Sequence, residues 1–139
     1  MADSTNSHLT RLSAKEKLPE GTVVVTQKQE HGRGQRGTIW ESDAGKNLTL
    51  SILLHPTFLK PDEQFLLSKV VALGVMDFIR LSVSPLLRFS ASGKETGKGR
   101  RGEAETVLIK WPNDIYLGDK KVAGILIENS MSGNSLSHS

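Results

Sequence analysis

A chain of 139 residues with 18 Lys and Arg against 15 Asp and Glu carries a net charge of +3, a surplus too small to argue for nucleic acid by itself. It has no cysteine, which excludes disulfides, thiolate catalysis and zinc–thiolate sites. No apolar run approaches the roughly 18 residues a membrane span needs, and the N-terminus lacks the charged and apolar regions of a signal peptide, so one soluble, cytoplasmic domain is expected.

In chain order, Asp3-Ser4-Thr5-Asn6 offers N-cap residues ahead of a short helix through Leu9 and Leu12. Pro19-Glu20-Gly21 is a turn, and β-branching makes Thr22–Thr26 a buried strand. Gln27–Trp40 is polar and glycine-rich and reads as a loop, and Asn47–Leu54 as a second strand. Pro61-Asp62-Glu63 opens the one strong helix, since proline and acids suit a first turn. Its apolar residues form two adjacent seams, Leu67, Val71, Val75 and Phe78 beside Leu66, Val70 and Leu73, a stripe wide enough to pack on a sheet.

Ser90–Glu105 holds Gly, Ser, Lys, Arg and Glu with little that is large and apolar after Phe89, and reads as a surface excursion. Val107-Leu108-Ile109 resumes as a strand. Ile115–Leu117 and Val122–Ile127 then pair as a hairpin around Gly118-Asp119, and the polar segment 129–139 reads as a frayed tail. Strands, hairpins and an intervening helix predict an α+β fold with a mixed β-sheet flanked by helices.

Lys110-Trp111-Pro112-Asn113-Asp114 has no place in a plain strand, because proline cannot donate to the ladder and the charges are costly to bury. It suits the wall of a pocket for phosphate and metal, or else a polar hairpin. Gly32-Arg33-Gly34-Gln35-Arg36-Gly37 fits G-x-G-x-x-G, but Thr38-Ile39-Trp40 does not start a helix, which rules out a dinucleotide fingerprint. Its backbone N–H groups and guanidinium groups fit a phosphate-binding lid that orders around a ligand, or a flexible basic loop. Gly97–Gly102 matches the same spacing in the low-complexity excursion, so spacing alone carries no function. Ser4-Thr5-Asn6 either caps a helix or bonds a neutral polar ligand such as a cyclic urea. His8, His31, His55 and His138 have no metal-like spacing.

Together these segments resemble the biotin–protein ligases. The order is Asp3-Ser4-Thr5-Asn6, the glycine-arginine loop within Gln27–Gly37, Trp40, Gly45-Lys46-Asn47-Leu48, Lys110–Asp114, then Lys121-Val122-Ala123-Gly124-Ile125-Leu126. The resemblance implies the α+β catalytic core shared with class II tRNA synthetases, here incomplete at both ends. It implies a two-step reaction: biotin and ATP give biotinoyl-5′-AMP, which acylates a lysine of a biotin carboxyl carrier domain. By resemblance Ser4, Thr5, Asn6, Gln29, Arg33, Gly34, Gln35 and Lys121 bind biotin, with Lys121 and Arg33 catalytic. Gly32, Arg36, Trp40, Lys110, Asn113 and Asp114 serve the nucleotide, and Asp114 its Mg²⁺.

Gln35 stands where several family members carry a further arginine, so a weaker phosphate contact or weaker adenylate retention is expected. The preceding strand, a DNA-binding domain and the C-terminal β-domain are not expected in residues 1–139, nor are DNA or a membrane as partners. Two alternatives stay open: a non-catalytic biotin-binding fragment, or a small basic nucleic-acid-binding module using Arg33, Arg36, Lys98, Arg100 and Arg101.

Overall fold

Ser4 closes the N-terminus of the first helix, α1 (Thr5–Ser13), its hydroxyl accepting from the Ser7 N–H at 3.4 Å. This satisfies one of the four donors that a helix start leaves open. Thr5 and Leu9, one turn apart, are its buried face. In the computed structural model, which describes residues 2–90, 106–132 and 135–138, the chain forms two compact units. One comprises Met1–Asp62 with Leu126–Ser139, the other Glu63–Ile125.

In the first unit, β1 (Val23–Thr26) pairs antiparallel with β2 (Thr49–Ile52), with Val23 opposite Ile52 and Val25 opposite Leu50. Gly21, at φ 75°, takes the third position of the turn from Pro19 to Thr22, where glycine meets no steric cost. Because side chains alternate, Val23, Val25, Leu50 and Ile52 share one face and Val24, Thr26, Thr49 and Ser51 the other. Helix α1 packs against this hairpin. The strand expected to be buried throughout is therefore not so: Val23 and Val25 are half exposed, whereas the polar Thr26 and Ser51 are buried. Leu9 and Leu53 supply the apolar core here.

The N-terminal segment also zips against the stretch after β1. Ala2 N–H donates to Lys28 C=O, Glu30 N–H to Ala2 C=O, and His31 N–H to Asp3 C=O at 2.8 Å. Ala2 and Gln29 thus form a parallel bridge, which brings Ser4-Thr5-Asn6 beside Gln29. Within segment 129–139, expected to fray, β6 (Ser130–Ser132) and β7 (Ser135–His138) instead pair antiparallel.

The second unit has a 3-10 turn ending at Glu63, helix α2 (Gln64–Ser90), and the antiparallel strands β3 (Val107–Lys110), β4 (Asp114–Leu117) and β5 (Lys120–Gly124), in the order β3-β4-β5. Helix α2 packs on β3 and β4. Its core is Leu67 and Ala72 against Val107 and Ile115, the last fully buried. Each large apolar side chain contributes about 1.5–3 kcal/mol on burial. The expected stripe is narrower than its sequence suggests, since Leu66, Val70, Leu73 and Phe78 are exposed. The hairpin around Gly118, at φ 59°, forms as expected, though β5 ends at Gly124 rather than Ile127.

The α+β class holds. Every strand ladder among the described residues is antiparallel, and parallel pairing occurs only at the Ala2–Gln29 bridge. Apart from Ser90, which ends α2, the expected excursion and the second glycine-basic loop lie outside the described residues. No described helix is long and apolar enough to cross a membrane.

Candidate functional site

The first unit gathers most of the residues expected to bind biotin. Ser4, Thr5 and Ser51 are 2%, 4% and 7% exposed, an uncommon concentration of buried hydroxyls. Gln29 Oε1 accepts from the Thr5 N–H at 2.8 Å and lies 3.2 Å from Thr5 Oγ1. Ser51 Oγ lies 2.8 Å from Thr5 Oγ1 and is hydrogen-bonded to Asn6 Oδ1. An amide oxygen only accepts, so the Ser51 proton goes to Asn6, and a proton from Thr5 serves Ser51 or Gln29. The network is ordered, and no buried side-chain polar atom among the described residues lacks a partner. Ser4 caps the helix, while Thr5 and Asn6 bond to Gln29 and Ser51.

The glycine-arginine loop is a small hairpin closed by its own backbone. Trp40 N–H donates to Gly32 C=O at 2.9 Å and Gly34 N–H to Thr38 C=O at 2.7 Å, around a bridge between Arg33 and Ile39. Gln35, Arg36 and Gly37 form a 3-10 turn at its tip. A Cβ at Gly32 would lie 2.3 Å from Trp40 O and 3.1 Å from Gln29 Nε2; one at Gly34 would lie 2.3 Å from Thr38 Oγ1. At Gly32 the obstacle is backbone, whereas at Gly34 it is mainly a side-chain hydroxyl. A cavity of about 450 Å³ opens beside this hairpin, lined by His31, Arg33, Thr38, Ile39, Leu126 and Glu128 among others. Its size suits a small-molecule ligand.

Two residues outside the expected set join the cluster. Ser51 carried no signal beyond its place in an alternating strand. Glu128 accepts from Asn6 Nδ2 at 3.0 Å and forms an ion pair with Arg33, both through Oε2. Only its position directly after the expected Val122–Ile127 strand hinted at it. At the edge of the cluster Asp3 takes a bidentate pair from Arg11, at 2.7 and 2.9 Å. The Arg11 hydrogen bonds, followed by the Ser4 N–H, hold the Asp3 carboxyl well below the usual carboxylate range. The same pairing raises Arg11.

In the second unit, Lys110-Trp111-Pro112-Asn113-Asp114 turns from β3 into β4, with a cis bond between Trp111 and Pro112. Lys110 pairs with Asp114 in the ladder, and its Nζ sits 5.8 Å from the Tyr116 ring centroid. Trp111 is mostly exposed, its ring centroid 5.7 Å from that of Phe65. Asn113 is used by the backbone: its C=O accepts from Ile125 N–H and its Nδ2 donates to Ile125 C=O at 2.7 Å.

Lys121 reaches Asp114 through a bulge. Asp114 opposes Gly124 and Ile115 opposes Ala123, but Tyr116 opposes Lys121, so Val122 has no partner across the ladder. One extra residue reverses the facing of the rest of the strand. Lys121 therefore leaves the Ile115 side and joins Lys110, Asp114 and Tyr116, with Nζ 2.7 Å from Asp114 Oδ2. The result is a half-exposed face carrying two ammonium groups and one carboxylate, suited to polyanions. Of the expected site residues, Ser4, Thr5, Asn6, Gln29 and Arg33 meet in the first unit, with Gly32, Gly34, Gln35, Arg36 and Trp40 on its hairpin. Lys110, Asp114 and Lys121 meet in the second, where Asn113 instead bonds to Ile125.

Comparison with known proteins bears on both clusters. The chain is 34% identical over 126 residues to the bifunctional ligase/repressor BirA of Escherichia coli, covering 91% of this chain and 32% of that protein. It is 35% identical over 133 residues to the biotin–[acetyl-CoA-carboxylase] ligase of Paracoccus denitrificans, covering 94% and 45%. It thus spans about a third to just under half the length of these relatives. Among solved structures, the biotin protein ligase of Leishmania major in complex with biotinyl-5-AMP superposes with a TM-score of 0.64 at 25% identity, over 99% of this chain and 52% of that one. The sequence model of the Biotin/lipoate A/B protein ligase family matches residues 1–139, and the chain belongs to that family.

Proposed function

We propose that this chain belongs to the catalytic core of a biotin–protein ligase, which activates biotin with ATP and transfers it to a lysine of a biotin carboxyl carrier domain in the cytoplasm. The observation that carries the reading is the partly buried polar cluster of Thr5, Asn6, Gln29 and Ser51 beside Arg33 and its cavity. Neutral donors and acceptors arranged around an amide suit a ureido ring, and a guanidinium beside them suits the ligand's carboxylate or a phosphate. Family membership and a relative solved with biotinyl-5-AMP support this substrate class.

In the first step a biotin carboxylate oxygen attacks the α-phosphorus of ATP, forming the acyl–phosphate bond and releasing pyrophosphate. The nucleophile is already an anion and needs no general base. The barrier is the approach of two negative groups, so help comes from neutralisation and positioning. In this reading Arg33 and Lys121 supply charge at the reacting groups, while Lys110 serves the nucleotide. Asp114 holds Lys121 in place and lowers the net charge of that face. In the second step the carrier's lysine amine attacks the acyl carbon and AMP departs.

The donor set bears on the metal. Asp114 Oδ2 is engaged by Lys121 and two further lysines lie nearby in sequence, while no cluster of three His, Asp or Glu groups occurs among the described residues. That set does not build a Mg²⁺ cage. It fits Mg²⁺ arriving as part of the ATP substrate, held by phosphate oxygens with at most one protein carboxylate.

The test is biotin-dependent pyrophosphate release, followed by mass analysis of a carrier domain offered as acceptor. A gain equal to one biotinoyl group on the carrier is expected. Pyrophosphate release that does not depend on biotin would overturn the assignment.

A further inference from the structure

Glu128 has no part in the proposed chemistry, yet its Oε2 joins the two groups that the biotin reading depends on most. It accepts from Asn6 Nδ2 at 3.0 Å and pairs with the Arg33 guanidinium. An Asn amide has a donor end and an acceptor end of nearly the same shape, and only its partners decide which way it points. Here the Ser51 hydroxyl engages Oδ1 and the Glu128 carboxylate engages Nδ2. Exchanging the two ends would set the amide oxygen against a carboxylate, so Glu128 allows a single orientation. Arg33 has its backbone pinned opposite Ile39, but its long side chain remains 46% exposed and is oriented by Glu128.

We infer that Glu128 is a positioning residue for biotin recognition, acting through the orientation of the Asn6 amide and the Arg33 guanidinium. The inference rests on the proposed function and adds a residue to its site. An ion pair this exposed contributes little to folding stability. Its removal should therefore appear in ligand affinity and leave the melting temperature unchanged.

The test uses the full chain and calorimetry with biotin. Glu128→Ala should raise the biotin Kd by about 10-fold with an unchanged melting temperature, the size of a lost charge-assisted hydrogen bond. Glu128→Leu, which keeps side-chain bulk but accepts nothing, should do the same, and whichever of the two folds like the unaltered chain decides the question. Glu128→Gln, whose amide oxygen can still accept from both donors, should recover most of the affinity. In NMR spectra the Asn6 side-chain amide resonances should move in Glu128→Ala and stay near their original positions in Glu128→Gln. If Asn6→Ala and Arg33→Ala weaken biotin while Glu128→Ala and Glu128→Leu bind like the unaltered chain, the role of Glu128 is refuted and the biotin reading stands. If the unaltered chain shows no biotin binding, the functional reading itself falls and takes this role with it.

Discussion

Lys121 and Asp114 share a face of the β4–β5 hairpin only because Val122 has no partner across the ladder, and their side chains then meet at 2.7 Å. A regular register would turn Lys121 to the Ile115 face. In the proposed reaction this ammonium acts where charge builds up, so Lys121→Ala should slow pyrophosphate release by roughly 10²–10³-fold. The pair's contribution to folding should be at most about 1 kcal/mol. Deleting Val122 should remove the bulge yet leave Lys121 opposite Tyr116 on the Asp114 face, so release should survive that deletion. Single-turnover release by Lys121→Ala at the unaltered rate would remove it from the chemistry.

The two packed glycines of the hairpin should differ in tolerance. Ala at position 32 meets the Trp40 carbonyl, which is backbone and closes the hairpin, so Gly32→Ala should destabilise by about 1–3 kcal/mol and weaken biotin binding. Ala at position 34 meets mainly the Thr38 hydroxyl, a side-chain group that can rotate away at the loss of its bond to Gln35 C=O. Gly34→Ala should therefore be milder, and a Thr38→Ala background should relieve it. Denaturation midpoints of the three variants check the ranking.

Much of this arrangement was legible in the sequence. Proline, glycine and hydroxyl punctuation located the first helix, the hairpin turn at Gly118 and the start of α2, because these residues act through local backbone preferences. The motifs named most of the clustered side chains. Ser51 escaped because a serine in an alternating strand carries no signal until its partner helix is placed. Glu128 escaped because its partners, Asn6 and Arg33, lie far away in sequence. The bulge at Val122 and the exposure of Val23 and Val25 depend on pairing and facing, which β-branching alone does not specify.

Core and surface of the second unit should respond oppositely to alanine. Ile115 is fully buried, so Ile115→Ala should cost about 2–5 kcal/mol. A Cβ at Gly74, within α2, would meet nothing within 4 Å, so Gly74→Ala should stabilise by about 0.5–1 kcal/mol. Chemical denaturation of both variants tests the packing of α2 on β3 and β4.

The Asp3–Arg11 pair gives a pH signature of known sign. The folded-state carboxyl lies below its ordinary value of 3.8, so its stabilisation is complete above that pH and is lost as pH falls through the lower folded value. Arg11→Ala should thus lower the denaturation midpoint near neutral pH and make progressively less difference below pH 3.8. A penalty that grew on acidification would contradict the assignment of Asp3 as the depressed partner.

Calorimetric titration of biotin into the chain, alone and in the Arg33→Ala variant, tests the central claim most directly. Saturable heat at one biotin per chain is expected, weakened in Arg33→Ala by roughly 1–3 kcal/mol for a lost charge-assisted contact. No heat with biotin, or an affinity indifferent to Arg33, would contradict a biotin site built on Thr5, Asn6, Gln29 and Arg33.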